Sequence, residues 1–210
     1  MPNTDSYGQS VPYPVLSDAP NIETAMSTLV NGIVPYTVMR FANANDRSAR
    51  LIGTTKAVPG MITYLIAEDR WEAFQGDRTW LLLSDGPWNP MSFASGYAAY
   101  GGSPGWRRKA GGGIELRGRF MRSNRGNLVD DGTIVKFATV PTSVAPAALR
   151  YYMCASNRVS VSGITRYTAR VEVSWLGELA YTVEAGGGVG TTEFPAWVSL
   201  DGIQFSPAGD

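Results

Sequence analysis

The sequence predicts a mainly β protein, in which a short N-terminal helix and a small β-meander precede a β-sandwich head of the jelly-roll kind. Of the 210 residues, 24 are Gly and 13 are Pro, above the usual shares of roughly 7% and 5%. Aromatic residues reach 11% and charged residues only 17%, against a usual charged share of about 25%. Turn residues then recur roughly every ten positions after residue 90, as in sandwiches.

The content of charged residues, histidine and cysteine argues against several classes of function. The 18 basic and 18 acidic side chains cancel, so no overall field draws the chain to nucleic acid or to anionic membranes. The chain has no His, the base of hydrolase triads and the main metal ligand, and its single Cys154 excludes an internal disulfide. No apolar run approaches the roughly 18 residues of a membrane helix. We therefore expect no cofactor, no bound metal, no catalysis, no nucleic-acid partner and no membrane insertion.

The N-terminal region is predicted to be an extended arm followed by an oligomerisation helix. Residues 1–20 contain four prolines among polar residues, which disfavour helix and sheet. The helix is predicted over residues 21–35, with Asn21 as its cap. At about eleven residues such a helix is marginal alone in water, so we expect other copies to cover its apolar face in a short bundle. That face is formed by Ile22, Met26, Leu29 and Ile33.

Residues 36–90 are predicted to form a connector that contains a three-stranded β-meander. Three runs of β-branched and aromatic residues are separated by turn residues: Met61–Ile66, Trp71–Phe74 and Thr79–Leu83. Three short strands are barely enough for independent stability. We therefore expect other copies of the chain to complete the helix and the meander.

Residues 91–210 are predicted to form the β-sandwich head. Apolar residues alternate with polar ones along several runs, as expected for strands with one buried face. One run has Ile114, Leu116 and Phe120 in the same phase, with Gly118 among them. A hairpin is predicted from Val171, Val173 and Trp175, a turn at Gly177-Glu178, and a second strand with Leu179, Tyr181 and Val183. A last strand is predicted with a bulge at Asp201-Gly202.

Aromatic rings in a stretch rich in Gly and Pro are the strongest candidates for ligand contact. Tyr97, Tyr100 and Trp106 are predicted to stand on exposed loops, with Arg107 directly after them. Rings held in this way present rigid apolar faces with a hydrogen-bonding edge, which suits sugars and other flat polar ligands. The alternative is that these rings pack against the sandwich or a neighbouring subunit. A second exposed tip is predicted at residues 184–194.

A basic run follows these rings. Seven cations fall within nineteen residues: Arg107, Arg108, Lys109, Arg117, Arg119, Arg122 and Arg125. A nucleic-acid groove would need such charges together with aromatic platforms. The total charge is zero, and Arg117 and Arg119 fall at the alternate positions of a strand that face solvent. We therefore interpret the run as a solvated face or as a region of pairing between subunits.

Two further groups have a chemical and an ordinary interpretation. Cys154 lies in an apolar strand run without any His to activate it, so we predict a buried, inert thiol.

A glycosidase needs two carboxylates at a fixed separation. The acidic residues that could in principle supply such a pair are Asp130, Asp131, Glu178, Glu184 and Glu193.

Short motifs along residues 20–205 carry a family resemblance. Those in the connector are Val38–Asn43 with Arg47 and Arg50, then Pro59-Gly60-Met61, Tyr64, Gly76-Asp77 and Trp80. Those in the head are Gly118 within the run Leu116–Phe120, Gly132-Thr133-Ile134 leading to Val140-Pro141, and Trp197–Ile203. Together they resemble actinobacteriophage tail-fibre and minor tail proteins, in which a short helix and a small strand unit precede a β-sandwich head.

The resemblance implies a homotrimeric component of the virion tail whose head contacts the host surface, with a glycan as the expected receptor. Residues 1–35 would then attach the trimer to other tail or baseplate proteins. The first positive charge is Arg40, so the basic flank of a secretion signal is missing and synthesis in the host cytoplasm is expected. Two alternatives stay open: a capsid-bound fibre or decoration protein without a receptor role, and a surface-glycan hydrolase.

Overall fold

The computed structural model describes residues 3–4, 6, 11–15, 21–53, 56–128, 134–161, 164–183 and 191–207. The chain forms two compact units, Met1–Ser84 and Asp85–Asp210, which we call the connector unit and the head. The head therefore includes residues 85–90, which precede the start predicted for it.

The N-terminal helix forms where the sequence predicts it. Helix α1 spans Ile22–Ile33, and the Asn21 side chain accepts a hydrogen bond from the Thr24 N–H at 3.0 Å. This bond satisfies one of the free donors at the start of the helix. The helix passes through Gly32 and is followed by a 3-10 turn over Val34–Tyr36.

The apolar face of α1 stays open to solvent within one chain. Ile22 is 80% exposed, Met26 is 53% exposed, and Ile33 is also exposed, whereas Leu29 is half-buried. Exposed apolar side chains in a row are typical of a surface that meets another molecule. The oligomerisation predicted for this helix stays a prediction.

The arm predicted for residues 1–20 contains paired strands. Strands β1 (Asn3–Thr4) and β2 (Pro12–Tyr13) form a short antiparallel pair. Pro12 lies against Gly32 of α1, where an added Cβ would come within 3.0 Å of the Pro12 Cδ. The described pairing is limited to two residues on each strand.

The connector sheet has four strands. The predicted meander is confirmed, and one further strand and one further helix, which the sequence analysis missed, precede it. The first strand pairs in parallel with the second, and the other strands pair antiparallel. In chain order the elements are β3 (Met39–Phe41), α2 (Ala44–Arg50), β4 (Ile62–Leu65), β5 (Arg70–Phe74) and β6 (Trp80–Leu82).

A buried ion pair stands at the centre of the connector unit. Arg47 of α2 pairs with Glu72 of β5, and both side chains are more than nine-tenths buried. The same guanidinium donates to the Thr63 hydroxyl at 3.2 Å and lies 3.8 Å from the centre of the Trp80 ring. Glu72 also pairs with Arg70 at 2.8 Å. Two motif residues, Arg47 and Trp80, thus hold the helix on the sheet, since a buried charge needs such partners.

The head contains eleven strands among the described residues, and these form one hydrogen-bonded sheet with two layers. Nine of them follow the path β7-β9-β10-β16-β12-β13-β14-β11-β8, and the other two lie beside it, with β17 paired to β10 and β15 paired to β12. The strands are β7 (Asn89–Pro90), β8 (Ser92–Phe93), β9 (Tyr97–Arg108), β10 (Ile114–Arg122), β11 (Val135–Thr139), β12 (Arg150–Val161), β13 (Ile164–Val173), β14 (Glu178–Thr182), β15 (Thr191–Glu193), β16 (Val198–Ser199) and β17 (Gln204–Phe205).

The core between the layers confirms the predicted β-sandwich. Ile114, Leu116 and Phe120 of β10 are buried, in the phase that the sequence predicts. Phe120 stacks face to face on Phe137 of β11, with ring centres 3.7 Å apart. Because β10 and β11 belong to opposite layers, this stack joins the two sheets directly. The fully buried Tyr181 of β14 packs beside it.

Two predicted turns take a defined form. The hairpin of β13 and β14 is confirmed, but the turn lies at residues 174–177, so Trp175 is a turn residue that is 58% exposed and not the end of a strand. The last strand is interrupted as predicted. Strands β16 and β17 both pair with β10, and Gly202 lies between them with a φ of +88°.

The stretch 97–106 is a strand, so its prediction as an exposed loop was wrong. Strand β9 pairs with β10 from Tyr97↔Arg122 to Arg108↔Ile114, with a break in register in the middle. Glycine and proline there indicate a bulge and not a loop, because β9 makes room for extra residues without leaving the sheet. Of the tip predicted at residues 184–194, residues 184–190 lie outside the described part of the chain.

Candidate functional site

Strand β10 carries alternating side chains to the two faces of its sheet. Ile114, Leu116 and Phe120 point into the core, so Arg117 and Arg119 point outward. Both arginines are half-buried on the outer face of the layer formed by β7, β9, β10 and β16. The interpretation of these two residues as a strand's outer face is confirmed.

A bulge between β9 and β10 sets the positions of these two arginines. Residues 102–104 of β9 stand opposite Gly118, whose φ is +85°. An added Cβ at Gly118 would lie 2.6 Å from the Pro104 backbone, so only glycine fits there. The Gly118 N–H donates to the Asp201 carboxylate at 2.8 Å, and Arg117 Nε donates to the Ser103 carbonyl at 3.1 Å. The bulge is therefore fixed at both of its sides.

Trp88, which lies just before β7, is held between two guanidinium groups. The Cζ of Arg117 lies 4.1 Å from the ring centre and that of Arg107 lies 4.6 Å from it. Arg107 also forms ion pairs with Asp85 and with Glu115, each at 2.8 Å. Its charge is thus compensated, whereas Arg117 has no carboxylate partner among the described residues.

Arg119 lies beside two further rings. Its Cζ is 5.0 Å from the centre of the Trp197 ring and 5.3 Å from that of Tyr100. The two rings lie 5.9 Å apart with an interplanar angle of 26°. Tyr100 is 47% exposed and Trp197 is half-buried. Arg119 is half-buried, and within the described part of the chain it has no hydrogen-bond or ion-pair partner.

These residues form two clusters of rings and cations on the outer face of this layer, which together we call the outer aromatic face. Cation–π contacts hold the guanidinium groups against the rings. Arg107 is already held in ion pairs and Arg117 Nε by the Ser103 carbonyl, so the donors not used by described residues are those of Arg119 and the remaining ones of Arg117. Each cluster offers a flat apolar ring next to a strong hydrogen-bond donor. Its members are Trp88, Tyr100, Arg107, Arg117, Arg119 and Trp197.

The structure separates the four residues predicted from the sequence. Tyr100 and Arg107 lie on the outer aromatic face. Tyr97 and Trp106 pack against the core of the head, and the Tyr97 hydroxyl is within hydrogen-bond distance of the Tyr181 hydroxyl, at 3.2 Å. The packing alternative weighed for these rings thus describes Tyr97 and Trp106.

Sequence reasoning missed Trp88 and Trp197, which complete the outer aromatic face. They stand more than one hundred positions apart, and only sheet pairing brings them to one surface. The sequence does place Arg117 and Arg119 on the solvent-facing side of a strand. Side chains on neighbouring strands form pairs across such a face, so a partner for these arginines could have been sought there.

The surroundings of two titratable groups in the head shift their pKa values. The Ala110 N–H and the nearby Arg107 and Lys109 hold the pKa of Asp85 below its usual value. Burial raises the pKa of the Cys154 thiol to about 12, so the group stays protonated at neutral pH. The predicted buried thiol is confirmed, since Cys154 belongs to the core.

The acidic residues named for a glycosidase pair are not assembled in the described part of the chain. Glu178 pairs with Lys136 at 2.5 Å. Asp130, Asp131 and Glu184 lie outside the described residues, as does the side chain of Glu193. Among the described residues there is no cluster of three or more potential metal ligands. No helix within them is long and apolar enough to cross a membrane.

Comparisons with known proteins give one structural likeness. No protein-family model and no curated protein matches the chain. Among solved structures, the chain is similar to the crystal structure of the receptor binding protein (gp15) of Listeria phage PSA, with 20% sequence identity and a TM-score of 0.41. The similarity covers 58% of this chain and 64% of that one, which is less than two thirds of that chain's length.

Proposed function

We propose that this protein is a structural component of a phage tail, a tail fibre or minor tail protein, whose head binds a glycan on the host cell surface. The single observation that carries the binding role is the outer aromatic face, where three partly exposed rings alternate with arginines. We base the phage assignment on the sequence motifs and not on the structural likeness.

The chemistry of the outer aromatic face fits a sugar chain. The C–H face of a pyranose stacks on an aromatic ring, and its hydroxyl groups accept hydrogen bonds from a guanidinium group beside that ring. Tyr100 and Trp197 supply two rings 5.9 Å apart, and Arg119 stands next to both with its donors unused by the described residues. Trp88 with Arg117 repeats this arrangement further along the sheet, so a chain of several sugars can follow the face.

The proposal includes a homotrimer held partly by α1. Ile22, Met26 and Ile33 are exposed on one side of a helix that is short for independent stability. Three copies would bury these side chains in a bundle. Three heads on one trimer would also multiply a weak contact by avidity, so that millimolar sites give firm attachment. Residues 1–35 would then provide the attachment to other virion proteins.

The proposal is binding without catalysis. Glu178, the one named hydrolase candidate whose side chain is described, forms an ion pair with Lys136, and Glu115 of the outer face forms one with Arg107. Host wall polysaccharide incubated with the pure protein should therefore show no new reducing ends. Shortened chains, with activity lost on substitution of a named acidic residue, would favour the hydrolase instead.

The binding role is tested with purified wall polysaccharide immobilised on a biosensor. We expect Tyr100→Ala and Trp197→Ala to weaken binding at least about tenfold each, which corresponds to 1.4 kcal/mol. The matched controls are Tyr167→Ala and Trp175→Ala, because these rings are 61% and 58% exposed and belong to the opposite layer. Equal losses in both pairs, or no loss in the first pair, would contradict the proposed site.

A further inference from the structure

A large cavity lies within the connector unit. It has a volume of about 780 Å³ and opens beside α2 and the turn between β5 and β6. Apolar side chains form part of its wall, among them Leu51, Val58 and Phe74. The ring of Trp80 lies at the same wall under the Arg47 guanidinium. The cavity can therefore take an apolar group as well as a polar one.

Among the described residues that line this cavity, all the charged side chains are cations: Arg47, Lys56 and Arg78. Glu72 pairs with Arg47. Lys56 and Arg78 have no ion pair within the described part of the chain, so two positive charges remain uncompensated at the mouth. An apolar cavity with unpaired cations attracts an anion, because Coulomb attraction grows where water is partly excluded.

Arg47 is already committed within the connector unit. Its side chain is only 6% exposed, and its terminal nitrogen is used by Glu72 and Thr63. Its Nε is also shielded from solvent. The cations that a ligand in the cavity could reach are therefore the exposed Lys56 and Arg78.

We propose that this cavity binds a carboxylate carried next to an apolar group, as presented by an acidic segment of another protein chain. The carboxylate would lie between Lys56 and Arg78, where a guanidinium group can bind both of its oxygens. The neighbouring apolar side chain would pack on Leu51 and Phe74. This site lies in the connector unit, whereas the proposed glycan site lies in the head, so each can be tested by itself.

The first test uses benzoate, with benzamide as the neutral control of the same shape. Binding is followed through the Trp80 indole N–H signal in NMR spectra, identified by its loss in Trp80→Phe. Probes of this size bind at about millimolar concentration. We expect benzoate to bind at least about tenfold more tightly than benzamide, and Lys56→Met with Arg78→Gln to remove that preference. Arg125→Gln, an exposed cation of the head, should leave it unchanged.

The second test identifies the source of the carboxylate. Acetyl-Phe-Glu-amide is titrated beside acetyl-Phe-Gln-amide with the same readout. Tighter binding of the glutamate peptide, lost in the Lys56→Met, Arg78→Gln variant, supports the proposal. Equal binding of benzoate and benzamide overturns it. Binding of benzoate without any preference for the glutamate peptide also overturns it, because the site would then serve a free small carboxylate.

Discussion

Replacing Gly118 by alanine perturbs the bulge that holds the outer aromatic face. Gly118 has a φ of +85°, and an alanine Cβ there would lie 2.6 Å from both Cα and N of Pro104. Gly111 provides a matched control, because its φ is also +85° but nothing lies within 4 Å of an added Cβ. The two substitutions therefore share the backbone penalty and differ in the steric overlap.

The expected magnitudes follow from these two terms. An L-residue in the left-handed region costs about 1–2 kcal/mol, so Gly111→Ala should lose about that much free energy of unfolding. Overpacking against fixed backbone adds typically about 1–3 kcal/mol. Gly118→Ala should therefore lose about 2–5 kcal/mol in total, and its binding to wall polysaccharide should fall because Arg117 and Arg119 shift with the strand.

The assay uses Cys154 as a probe of the head alone. It is the single cysteine of the chain and is buried in the core. After equilibration in urea, a brief pulse of a thiol reagent labels only molecules whose head is unfolded. We expect the midpoint to fall clearly further for Gly118→Ala than for Gly111→Ala. Equal midpoints for the two variants would refute the steric part of the reasoning.

Three further predictions follow from the same structure. Because burial raises the pKa of Cys154 to about 12, the native thiol should not react with a disulfide reagent at pH 8, and rapid reaction would contradict its burial. If copies pack through α1 as proposed, light scattering should show a trimer that Met26→Asp dissociates and that Thr28→Asp, off the apolar face, leaves intact; a wild-type monomer would refute the bundle. The Ala110 N–H lowers the pKa of Asp85, so its contribution to head stability is complete above about pH 4 and is lost as the pH falls further. Asp85→Asn should reduce that acid sensitivity, and an unchanged urea midpoint profile against pH would contradict it.

The local elements were predictable where a cap or an apolar period marks them. Helix α1 has both, with Asn21 at its start and one apolar face. Helix α2 was missed because its residues show no apolar period, and its start depends on one bond from the Asp46 N–H to the Asn43 side chain. Strand β3 was missed because its parallel partner lies after a crossover, which local patterns do not encode.

The candidate site was predictable only in part, for a related reason. Tyr100 stands out in the sequence, but the glycines after it suggest a loop when they in fact form a bulge opposite Gly118. Tyr97 and Trp106 are aromatic residues in the same glycine-rich stretch, yet both pack against the core of the head. Trp88 and Trp197 come from distant segments, so their meeting with the β10 arginines depends on the order of strands in the sheet.

The most direct test of the central claim is phage adsorption measured in the presence of excess purified protein. If the outer aromatic face binds the host surface, the wild-type protein should occupy the receptor and block adsorption. The Trp197→Ala protein, shown to be folded by its urea midpoint, should block far less at the same concentration, whereas Trp175→Ala should block as the wild type does. Undiminished adsorption with wild-type protein, or full blocking by Trp197→Ala, would contradict the account.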